Sequence, residues 1–580
     1  MKNKSNKEIK KFITAALPYV NNQPHLGNII GSLLSADVYA RYCRKRGYDT
    51  VFISGTDEYG TATEMEAIKQ KCMPFDIVKK NRQVHMNVYS AFDLSFDYFG
   101  HTHCEEHRNL VQQFFLKIIN YFKQEEVSQF YCETCEQFLA DRYVEGLCVC
   151  GSISNGDQCD NCGRCHITTE IKNATCKICK SSAKIKTTTH LFLELGRLKD
   201  KIKNQDTTRW SESAKFIFNE WIEKDLHSRC MTRDLKYKWG VPVPVQGFED
   251  KVFYVWFDAP IGYLTFLKQV KDLTWLDGSD FVQFMGKDNV PFHSIMFPAM
   301  LSALKESLTD DSLVSENKSL VEMVKNLNIK ESFFKNVKLN YQPVINSTGY
   351  LTFNGKKFSK SKSIGVFGSD ILEKDVGDIS KWRFYLLKRR PETKDADFNV
   401  DEFLTLVETD LVACLGNFVN RTLKFLSKKK IVISEVLKEL DLSLDEYKDE
   451  LLFVESIKET YNEYLEVMEQ ISIRRGFEVL FKLCKIGNKY LQDLQVNKEK
   501  MILGYSLGYS LVVLVGHCLV PFLPKQALEI FEQAQVENSE FPATFEIIKL
   551  SRELKNISPI FSHFTKEQKE TLLSFKPVSD

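Results

Sequence analysis

Short apolar runs separated by polar turns characterise the first 400 residues of the chain. The run at residues 12–14 predicts a buried strand, and a turn rich in Pro and Asn follows it. A helix is then predicted to begin near His25, because apolar residues recur at helical spacing at Ile29, Ile30, Leu33, Leu34 and Val38. This pattern predicts a strand that leads through a polar turn into a helix.

Polar or aromatic side chains stand where three further strands are predicted to end. Asp57 follows the apolar run at 51–53, Trp256 lies in the run at 252–264, and the turn at 286–288 reads Gly-Lys-Asp. Ligands of open α/β sheets bind at the carboxyl ends of the strands. We therefore predict an α/β fold with a doubly wound parallel sheet and a binding site at its carboxyl edge.

Helical periodicity replaces the short runs from about residue 400 onward. Leu, Ile, Val and Phe recur at helical spacing and prolines are few, which predicts an α-bundle. Residues 502–524 carry no Lys, Arg, Asp or Glu and are long enough to cross a membrane. Their glycines, His517, several hydroxyl groups and Pro521 favour a buried bundle helix, so we expect no membrane association.

The composition is that of a globular protein of three or four domains, with 580 residues, 43% hydrophobic and 27% charged. Lys and Arg (78) almost cancel Asp and Glu (77), so a nucleic-acid contact would have to come from local basic runs. Two runs are candidates: Lys381, Arg383, Lys388, Arg389 and Arg390, and Arg421, Lys424, Lys428, Lys429 and Lys430.

The N-terminal sequence indicates a cytoplasmic location, and that location decides how the cysteines are interpreted. The start MKNKSNKEIKK lacks the apolar core and cleavage site of an export signal, and it contains Glu and no Arg, unlike a transit peptide. Sixteen cysteines in a cytosolic chain are expected to be thiols or metal ligands, not disulfides.

Nine cysteines fall between residues 132 and 179, which predicts metal binding. Three C-x-x-C pairs have the spacing of zinc knuckles: Cys132/Cys135, Cys159/Cys162 and Cys176/Cys179. Cys148 and Cys150 form a shorter pair, for which Cys165 or His166 is an alternative source of a ligand. Eight thiolates suffice for two zinc ions with four ligands each. Four-thiolate sites have no open position, so both ions would be structural. The region has too little apolar sequence to fold by burial alone, so metal would supply folding energy.

Residues 348–370 contain a cationic loop, Lys357-Phe358-Ser359-Lys360-Ser361, which glycines flank. Paired ammonium groups on such a loop suit phosphoryl or nucleotidyl transfer, in which charge builds on oxygen. Far upstream, the turn that ends in His25-Leu26-Gly27-Asn28 places an imidazole at a helix N-terminus, which is an anion site. Each motif alone is equally compatible with a solvated surface loop or an ordinary capped helix.

Together the two motifs resemble the HIGH and KMSKS signatures of class I aminoacyl-tRNA synthetases. Four further segments, which occur in the order that the family has, narrow the resemblance to the methionine enzymes: 52–61, 252–264, 284–301 and 415–421. The resemblance covers about residues 10–535. Asn28 replaces the last His of the first signature, and Phe358 replaces the Met of the second. The resemblance implies a Rossmann-like catalytic domain with a zinc-knuckle insertion, an α-helical anticodon-binding domain, and ligation of L-methionine to tRNA(Met).

The resemblance also implies roles for individual residues. Catalytic and ATP-binding roles fall on His25, Asn28, Lys357, Lys360, Arg233, Gly286 and Asp288, and Mg²⁺ would accompany ATP. The methionine pocket would comprise Ala16, Leu17, Tyr19, Asp57, Trp256, Pro260, Tyr263 and His293, with Asp57 holding the ammonium group. One zinc would take Cys132, Cys135, Cys176 and Cys179, and the other Cys148, Cys150, Cys159 and Cys162.

In the helical part, the resemblance assigns anticodon contacts to Asn417 and Arg421, which lie four apart and so share a helix face. The tryptophan that usually stacks on an anticodon base is missing, since its position falls on Asn497. The sequence ends without the appended domain that dimerises many relatives, so a monomer is expected. Predicted segments are 7–122 and 225–345 (catalytic domain), 123–224 (insertion, knuckles at 132–179), 346–400 (loop and stem-contact linker) and 401–580 (anticodon domain).

Two alternatives remain at this point. One is a class I synthetase for Cys, Leu, Ile or Val, against which stand the lack of a long editing insertion and the set Trp256, Tyr263 and His293. The other is a catalytically inactive zinc-knuckle RNA-binding protein derived from a synthetase, against which stand the retained His25, Lys357 and Lys360.

Overall fold

Strands with flanking helices form the first two thirds of the molecule. The structure is a computed structural model that describes residues 8–156, 159, 168–309, 318–324, 333–358, 364–495 and 500–575. In this part of the chain the strands are β1 (Lys10–Ala15), β2 (Asp49–Thr56), β3 (Tyr98–His101), β4 (Phe122–Cys132), β5 (Gln137–Phe138), β6 (Val144–Leu147), β7 (Ile153–Asn155), β8 (Lys172–Cys176), β9 (Lys184–Leu193), β10 (Arg229–Cys230), β11 (Thr232–Asp234), β12 (Lys251–Phe253), β13 (Asp280–Gly286), β14 (Gln342–Thr348), β15 (Leu351–Phe353) and β16 (Ala396–Phe398).

After β16 the described residues form helices and connecting loops. The α-helices are α1 (Leu26–Asn28), α2 (Leu34–Lys45), α3 (Thr61–Gln70), α4 (Pro74–Ala91), α5 (Glu105–Lys117), α6 (Leu195–Ile202), α7 (Glu212–Ile222), α8 (Val255–Leu267), α9 (Phe297–Thr309), α10 (Lys318–Glu322), α11 (Gly368–Glu373), α12 (Ile379–Lys388), α13 (Val400–Leu406), α14 (Asn417–Lys428), α15 (Ile433–Val436), α16 (Lys448–Glu469), α17 (Ile473–Asp493), α18 (Met501–Leu519), α19 (Pro524–Ala534) and α20 (Lys566–Leu573).

Among the described residues, π-helical segments occur at Ile29–Leu33, Phe292–Met296 and Val407–Gly416. Such wide turns are rare in proteins, and those that occur often lie at functional sites. The first directly follows the turn at His25, the second contains His293, and the third ends directly before Asn417. Each therefore adjoins a residue to which the sequence assigns a binding role.

The five-stranded sheet is parallel and has the order β14-β13-β1-β2-β3. The chain winds from β1 outward in one direction through β2 and β3, and in the other through β13 and β14. This is the predicted doubly wound topology, and it places the switch point between β1 and β13. The predicted strand at residues 12–14 is confirmed as β1, whose residues after Lys10 are all buried.

One predicted strand is wrong. Trp256 does not end a strand of the parallel sheet, because β12 stops at Phe253, pairs antiparallel with β11, and is followed at once by α8. The stretch is apolar on all sides and buried, so its periodicity does not separate a strand from a helix. Trp256 consequently lies in the first turn of α8.

The insertion between α5 and β11 contains its own antiparallel sheets, with the orders β10-β9-β4-β5 and β7-β6-β8. Its knuckles enclose a small separate core that includes Phe130, Leu139, Tyr143, Val144 and Ile171. The rest of the molecule shares one continuous hydrophobic core. A core this small agrees with the expectation that burial alone does not stabilise the insertion.

The apolar segment after residue 500 is a buried bundle helix, as predicted. Within the described residues, α18 is the one helix long and apolar enough to cross a membrane, and 89% of its most apolar stretch is buried inside the protein. Every residue from Gly504 to Leu519 is buried. The segment therefore belongs to the core of the helical domain.

The first basic run is not the exposed patch that the sequence predicts. Lys381, Arg383 and Arg390 are buried, with at most 2% of each residue exposed. Arg383 forms a salt bridge of 2.9 Å with Asp37 of α2. Arg383 thereby joins α12 to α2, and the three buried side chains are not available as a group to RNA.

Candidate functional site

A cavity of about 700 Å³ opens at the carboxyl edge of the sheet, at the switch point between β1 and β13. It brings together residues from the two ends of the predicted catalytic region. Its lining includes Ala16, Leu17, Tyr19, His25, Asn28, Asp57, Trp256, Pro260, Tyr263, Gly286, Asp288 and His293, all predicted from the sequence.

His25 caps the short helix α1 with its own side chain. The backbone N–H of Asn28 donates to Nδ1 of His25 at 3.3 Å, and the backbone N–H of His25 donates to Oδ1 of Asn28 at 3.1 Å. The pair forms a reciprocal capping box at the N-terminus of the helix. Burial lowers the pKa of His25 to about 4, so the imidazole is neutral at physiological pH.

The two signature motifs meet at His25. The ring of Phe358 stacks on the imidazole with centroids 4.5 Å apart and planes 3° from parallel. Farther along the chain, Phe367 pairs with the backbone of His25 in an isolated β-bridge. Lys360 lies outside the described residues, whereas Lys357 places its ammonium group 5.9 Å from the ring of Tyr350, which lines the cavity.

The turn after β13 carries the predicted ATP-binding carboxylate. Burial raises the pKa of Asp288, while the ammonium groups of Lys287 and Lys357 act in the opposite direction. A Cβ atom at Gly286 would lie 2.8 Å from Oδ1 of Asp288, so the absence of a side chain makes room for the carboxylate.

Asp57 is a buried carboxylate that forms no salt bridge within the described part of the chain. It follows β2, is 3% exposed, and its Oδ1 has no hydrogen-bond partner among the described residues. Burial, and secondly the charge of Asp258, raise the pKa of Asp57 well above its ordinary value. A buried carboxylate of this kind is stabilised by a ligand cation.

The predicted side-chain pocket is aromatic and contains a fixed imidazole. Nδ1 of His293 lies 2.9 Å from the carbonyl oxygen of Asn289, and Nε2 lies 2.8 Å from the hydroxyl of Tyr263. A carbonyl only accepts, so Nδ1 carries the proton and Nε2 accepts from Tyr263. Burial lowers the pKa of His293 to about 4, which keeps the ring neutral. Trp256 stacks on Phe292 and meets Tyr19 edge to face.

Arg233 is not among the described residues that line the cavity. Its guanidinium lies 3.8 Å from the ring centroid of Tyr254 and donates to the carbonyl oxygens of Cys230 and Thr232. Its predicted position near the reacting groups therefore remains a prediction.

The insertion brings four cysteines into one cluster. The sulfur atoms of Cys132, Cys135, Cys176 and Cys179 all lie within 4.8 Å of one another. Cys132 and Cys179 are 3.4 Å apart, and Cys135 and Cys176 are 3.9 Å apart. A tetrahedral ion with bonds of about 2.3 Å requires sulfur separations of about 3.8 Å. The residues present therefore fit zinc.

Three cysteines of the second predicted set also lie together. The sulfur atoms of Cys148, Cys150 and Cys159 fall within 4.8 Å of one another. Cys162, Cys165 and His166 lie outside the described residues, so the fourth ligand stays open. The short spacing of Cys148 and Cys150 does not prevent both from joining the cluster.

In the helical domain, Asn417 is exposed at the start of α14, one turn before Arg421. The guanidinium of Arg421 donates to the hydroxyl of Tyr505 at 3.0 Å and to the carbonyl oxygen of Leu491 at 2.6 Å. These bonds fix its position on the bundle surface. Asn497 lies outside the described residues.

Sequence reasoning assigned no role to several cavity residues. Tyr350 stands between two lysines, with Lys287 4.4 Å and Lys357 5.9 Å from its ring centroid. Phe358 was noted only as a departure from a signature. Glu66 and Lys69 of α3 line the outer part of the cavity. Their sequence neighbourhood is that of an ordinary helix, so no pattern marks them.

Comparison with known proteins identifies the family of the chain. The family described as tRNA synthetases class I (M) matches residues 11–325 and 329–423, and the anticodon binding domain of methionyl tRNA ligase matches residues 445–574. A probable cytoplasmic methionine–tRNA ligase of Encephalitozoon cuniculi is 44% identical, over 97% of this chain and 98% of that protein. A probable cytoplasmic methionine–tRNA ligase of Vairimorpha ceranae is 40% identical, over 98% and 99%.

A solved structure has the same fold. Mycobacterium tuberculosis methionyl-tRNA synthetase in complex with methionyl-adenylate superposes with a TM-score of 0.72 at 18% identity, over 95% of this chain and 99% of that one. The sequence match covers the catalytic sheet, the cysteine-rich insertion and most of the helical domain. The chain belongs to the methionine group of the class I tRNA synthetase family.

Proposed function

We propose that the protein attaches L-methionine to tRNA(Met) in two steps. In the first, a carboxylate oxygen of methionine bonds to the α-phosphorus of ATP, and the bond to the β-phosphate oxygen breaks to release diphosphate. In the second, a ribose hydroxyl of the terminal adenosine of tRNA bonds to the methionyl carbonyl carbon, and AMP leaves. The observation that carries the proposal is the convergence of the two signatures on one cavity, where Phe358 stacks on His25 at 4.5 Å.

The chain's own residues supply binding and charge stabilisation, and no nucleophilic side chain is needed. Asp57 would hold the ammonium group, which compensates its buried charge. The Tyr263–His293 pair and Trp256 would enclose the thioether, since sulfur packs favourably against aromatic rings. His25, Asn28, Lys357 and Lys360 would surround the phosphates of the magnesium complex of ATP, with Asp288 on the ribose.

We assign the tRNA contacts to the insertion and the helical domain. The insertion would help to place the acceptor end, and Asn417 and Arg421 would contact the anticodon. Two structural zinc ions would hold the knuckles in shape and take no part in the chemistry, because four-thiolate sites leave no open position. The relatives named as cytoplasmic support a cytoplasmic location.

The decisive experiment is exchange of labelled diphosphate into ATP by the purified protein, measured with each amino acid in turn. We expect exchange with methionine, and none of comparable rate with Cys, Leu, Ile or Val. Transfer of methionine to tRNA then tests the second step. Exchange with another amino acid would identify a different synthetase, and no exchange at all would establish the inactive RNA-binding alternative.

Replacing Asp57 by Asn should raise the KM for methionine about tenfold to a hundredfold, because a hydrogen bond to a charged group is lost. In the wild type, the pKa of Asp57 that burial raises means that the carboxyl takes up its proton at a higher pH than an ordinary aspartate does. The KM for methionine should therefore rise toward acid pH. Asp57→Asn should remove this dependence, since the amide does not titrate.

The control for Asp57 is Asp250→Asn, which makes the same change on a side chain that is 88% exposed. It should leave both the KM and its pH dependence unaltered. A KM for methionine that is equal in Asp57→Asn and the wild type would refute the assignment of the ammonium site.

Metal analysis of the purified chain should find two zinc ions, and Cys132→Ser or Cys148→Ser should each reduce the content to one. The reason is that each substitution removes one ligand from a different cluster. Cys72→Ser is the matched control, since Cys72 lies outside both clusters, and it should retain two. Two zinc ions in Cys132→Ser would contradict the assignment of the first site.

A further inference from the structure

The imidazole of His25 is surrounded by Asn28, Gly27 and Phe358. The backbone N–H of Asn28 donates to Nδ1, and Oδ1 of Asn28 closes the turn by accepting from the backbone of His25. The ring lies back over its own helix turn, where a Cβ atom at Gly27 would come within 3.0 Å of Cε1. Gly27 is therefore needed for this orientation of the ring.

Phe358 covers one face of the same ring. The two planes differ by only 3°, so the contact is a stack and not an edge contact. Behind Phe358, the backbone of Gly365 makes space for it, because a Cβ atom there would lie 2.2 Å from Cδ1 of Phe358. Gly365 has φ of 115°, a conformation open to glycine. The backbone at Gly365 thus leaves room for the Phe358 ring.

The hydrogen bonds of His25 determine which nitrogen carries its proton. Nδ1 accepts from the backbone of Asn28, so the neutral ring is protonated at Nε2. Nε2 has no partner within the described part of the chain, and His25 lines the cavity. The ring therefore offers the cavity one N–H donor, of fixed direction, on a neutral group.

We propose that Asn28 and Phe358 are positioning residues that act together on His25, holding its plane and its Nε2–H tautomer toward the phosphates of ATP. Both are positions at which the signatures of this chain depart from their commonest spelling. Asn28 holds the His25 ring at its edge, through the hydrogen bond to Nδ1, and Phe358 holds it at its face, through the stack. The inference rests on the proposed function and deepens it.

The activity test uses Phe358→Ala, Phe358→Tyr and Phe216→Ala. Phe358→Ala should lower kcat for methionine-dependent exchange about threefold to tenfold, the equivalent of one lost ring stack, with no change in the KM for methionine. Phe358→Tyr keeps the ring face and should retain the wild-type rate. Phe216→Ala removes the same ring from a position that is 65% exposed and outside the cavity, and it should have no effect.

The second readout is the state of the His25 ring in the enzyme without substrates. Labelled histidine side chains give eleven signals, and the His25 signal is the one missing from His25→Gln. In the wild type we expect the Nε2–H tautomer and no protonation until pH is near 4. In Phe358→Ala the ring gains water on one face, so its pKa should rise toward the ordinary value of about 6.5. Asn28→Ala keeps the backbone N–H that bonds to Nδ1 but removes the Oδ1 acceptor that closes the turn on the backbone of His25, so the loosened turn should populate the other tautomer in part.

These outcomes separate the inference from the proposed function. If the wild type shows no exchange but the His25 signal behaves as expected, the proposed function fails and the structural role of the pair stands. If exchange is present, and Phe358→Ala changes neither the titration of His25 nor kcat, the inference is overturned. A loss in Phe358→Tyr as large as in Phe358→Ala would also overturn it, since the ring face is then not what matters.

Discussion

Replacing His25 by Ala should lower methionine-dependent diphosphate exchange about a hundredfold to a thousandfold. His25 offers the cavity a neutral N–H donor whose direction is fixed before ATP binds, and loss of one such donor has effects of this size. Because the donor stabilises charge that develops during transfer, we expect the loss in kcat and little change in the KM for methionine. Steady-state exchange with separate titration of ATP and methionine measures both.

The control for His25 is His227→Ala, which removes an exposed imidazole outside the cavity and should leave exchange intact. Lys360→Ala should cause a loss of the same order as His25→Ala, because an ammonium group near the departing diphosphate stabilises the same charge. Unchanged turnover in both His25→Ala and Lys360→Ala would remove the proposed mechanism.

Replacing Arg383 by Met should lower the free energy of unfolding by about 3–5 kcal/mol, because it leaves the buried carboxylate of Asp37 without one of its partners. The guanidinium also donates to the carbonyl oxygens of Phe92 at 2.6 Å and Phe522 at 2.9 Å, which lose their donor. Urea denaturation followed by tryptophan fluorescence measures the change.

Arg389→Met is the matched control on the same helix. The side chain of Arg389 is 38% exposed and pairs with Glu402 at 3.2 Å, and such a pair contributes about 0–1 kcal/mol. Equal urea midpoints for Arg383→Met and Arg389→Met would show that Arg383 does not join α12 to α2 in the way described.

Local sequence pattern was sufficient to predict an element or a site residue where a motif and a periodicity agreed. The strand before residue 15, the helix that starts at His25 and the carboxylate of Asp57 after β2 were all predicted, because each depends on neighbouring residues. The cluster of Cys132, Cys135, Cys176 and Cys179 was likewise expected from spacing and resemblance together.

Distant partners explain what the sequence did not reveal. Arg383 looks like part of a solvated basic run, yet its carboxylate partner Asp37 lies 346 positions away. Trp256 lies in a stretch that is apolar on every side. Neither the helical period nor the strand period of apolar residues can therefore be recognised there, and the start of α8 is not marked. Phe358 stacks on His25, which lies far away in the sequence. The replacement of Met by Phe within the signature does not predict this contact.

The wide helical turn at Val407–Gly416 has an evolutionary consequence. A π-turn holds one more residue than the α-turn that it replaces, so a single-codon deletion there can be absorbed without breaking the helix. The residues after the turn, among them Asn417 and Arg421, would then keep their direction, because the wide turn simply becomes an ordinary α-turn. Length variation at this turn is thus open to descendants of this chain without loss of the buried face of α14.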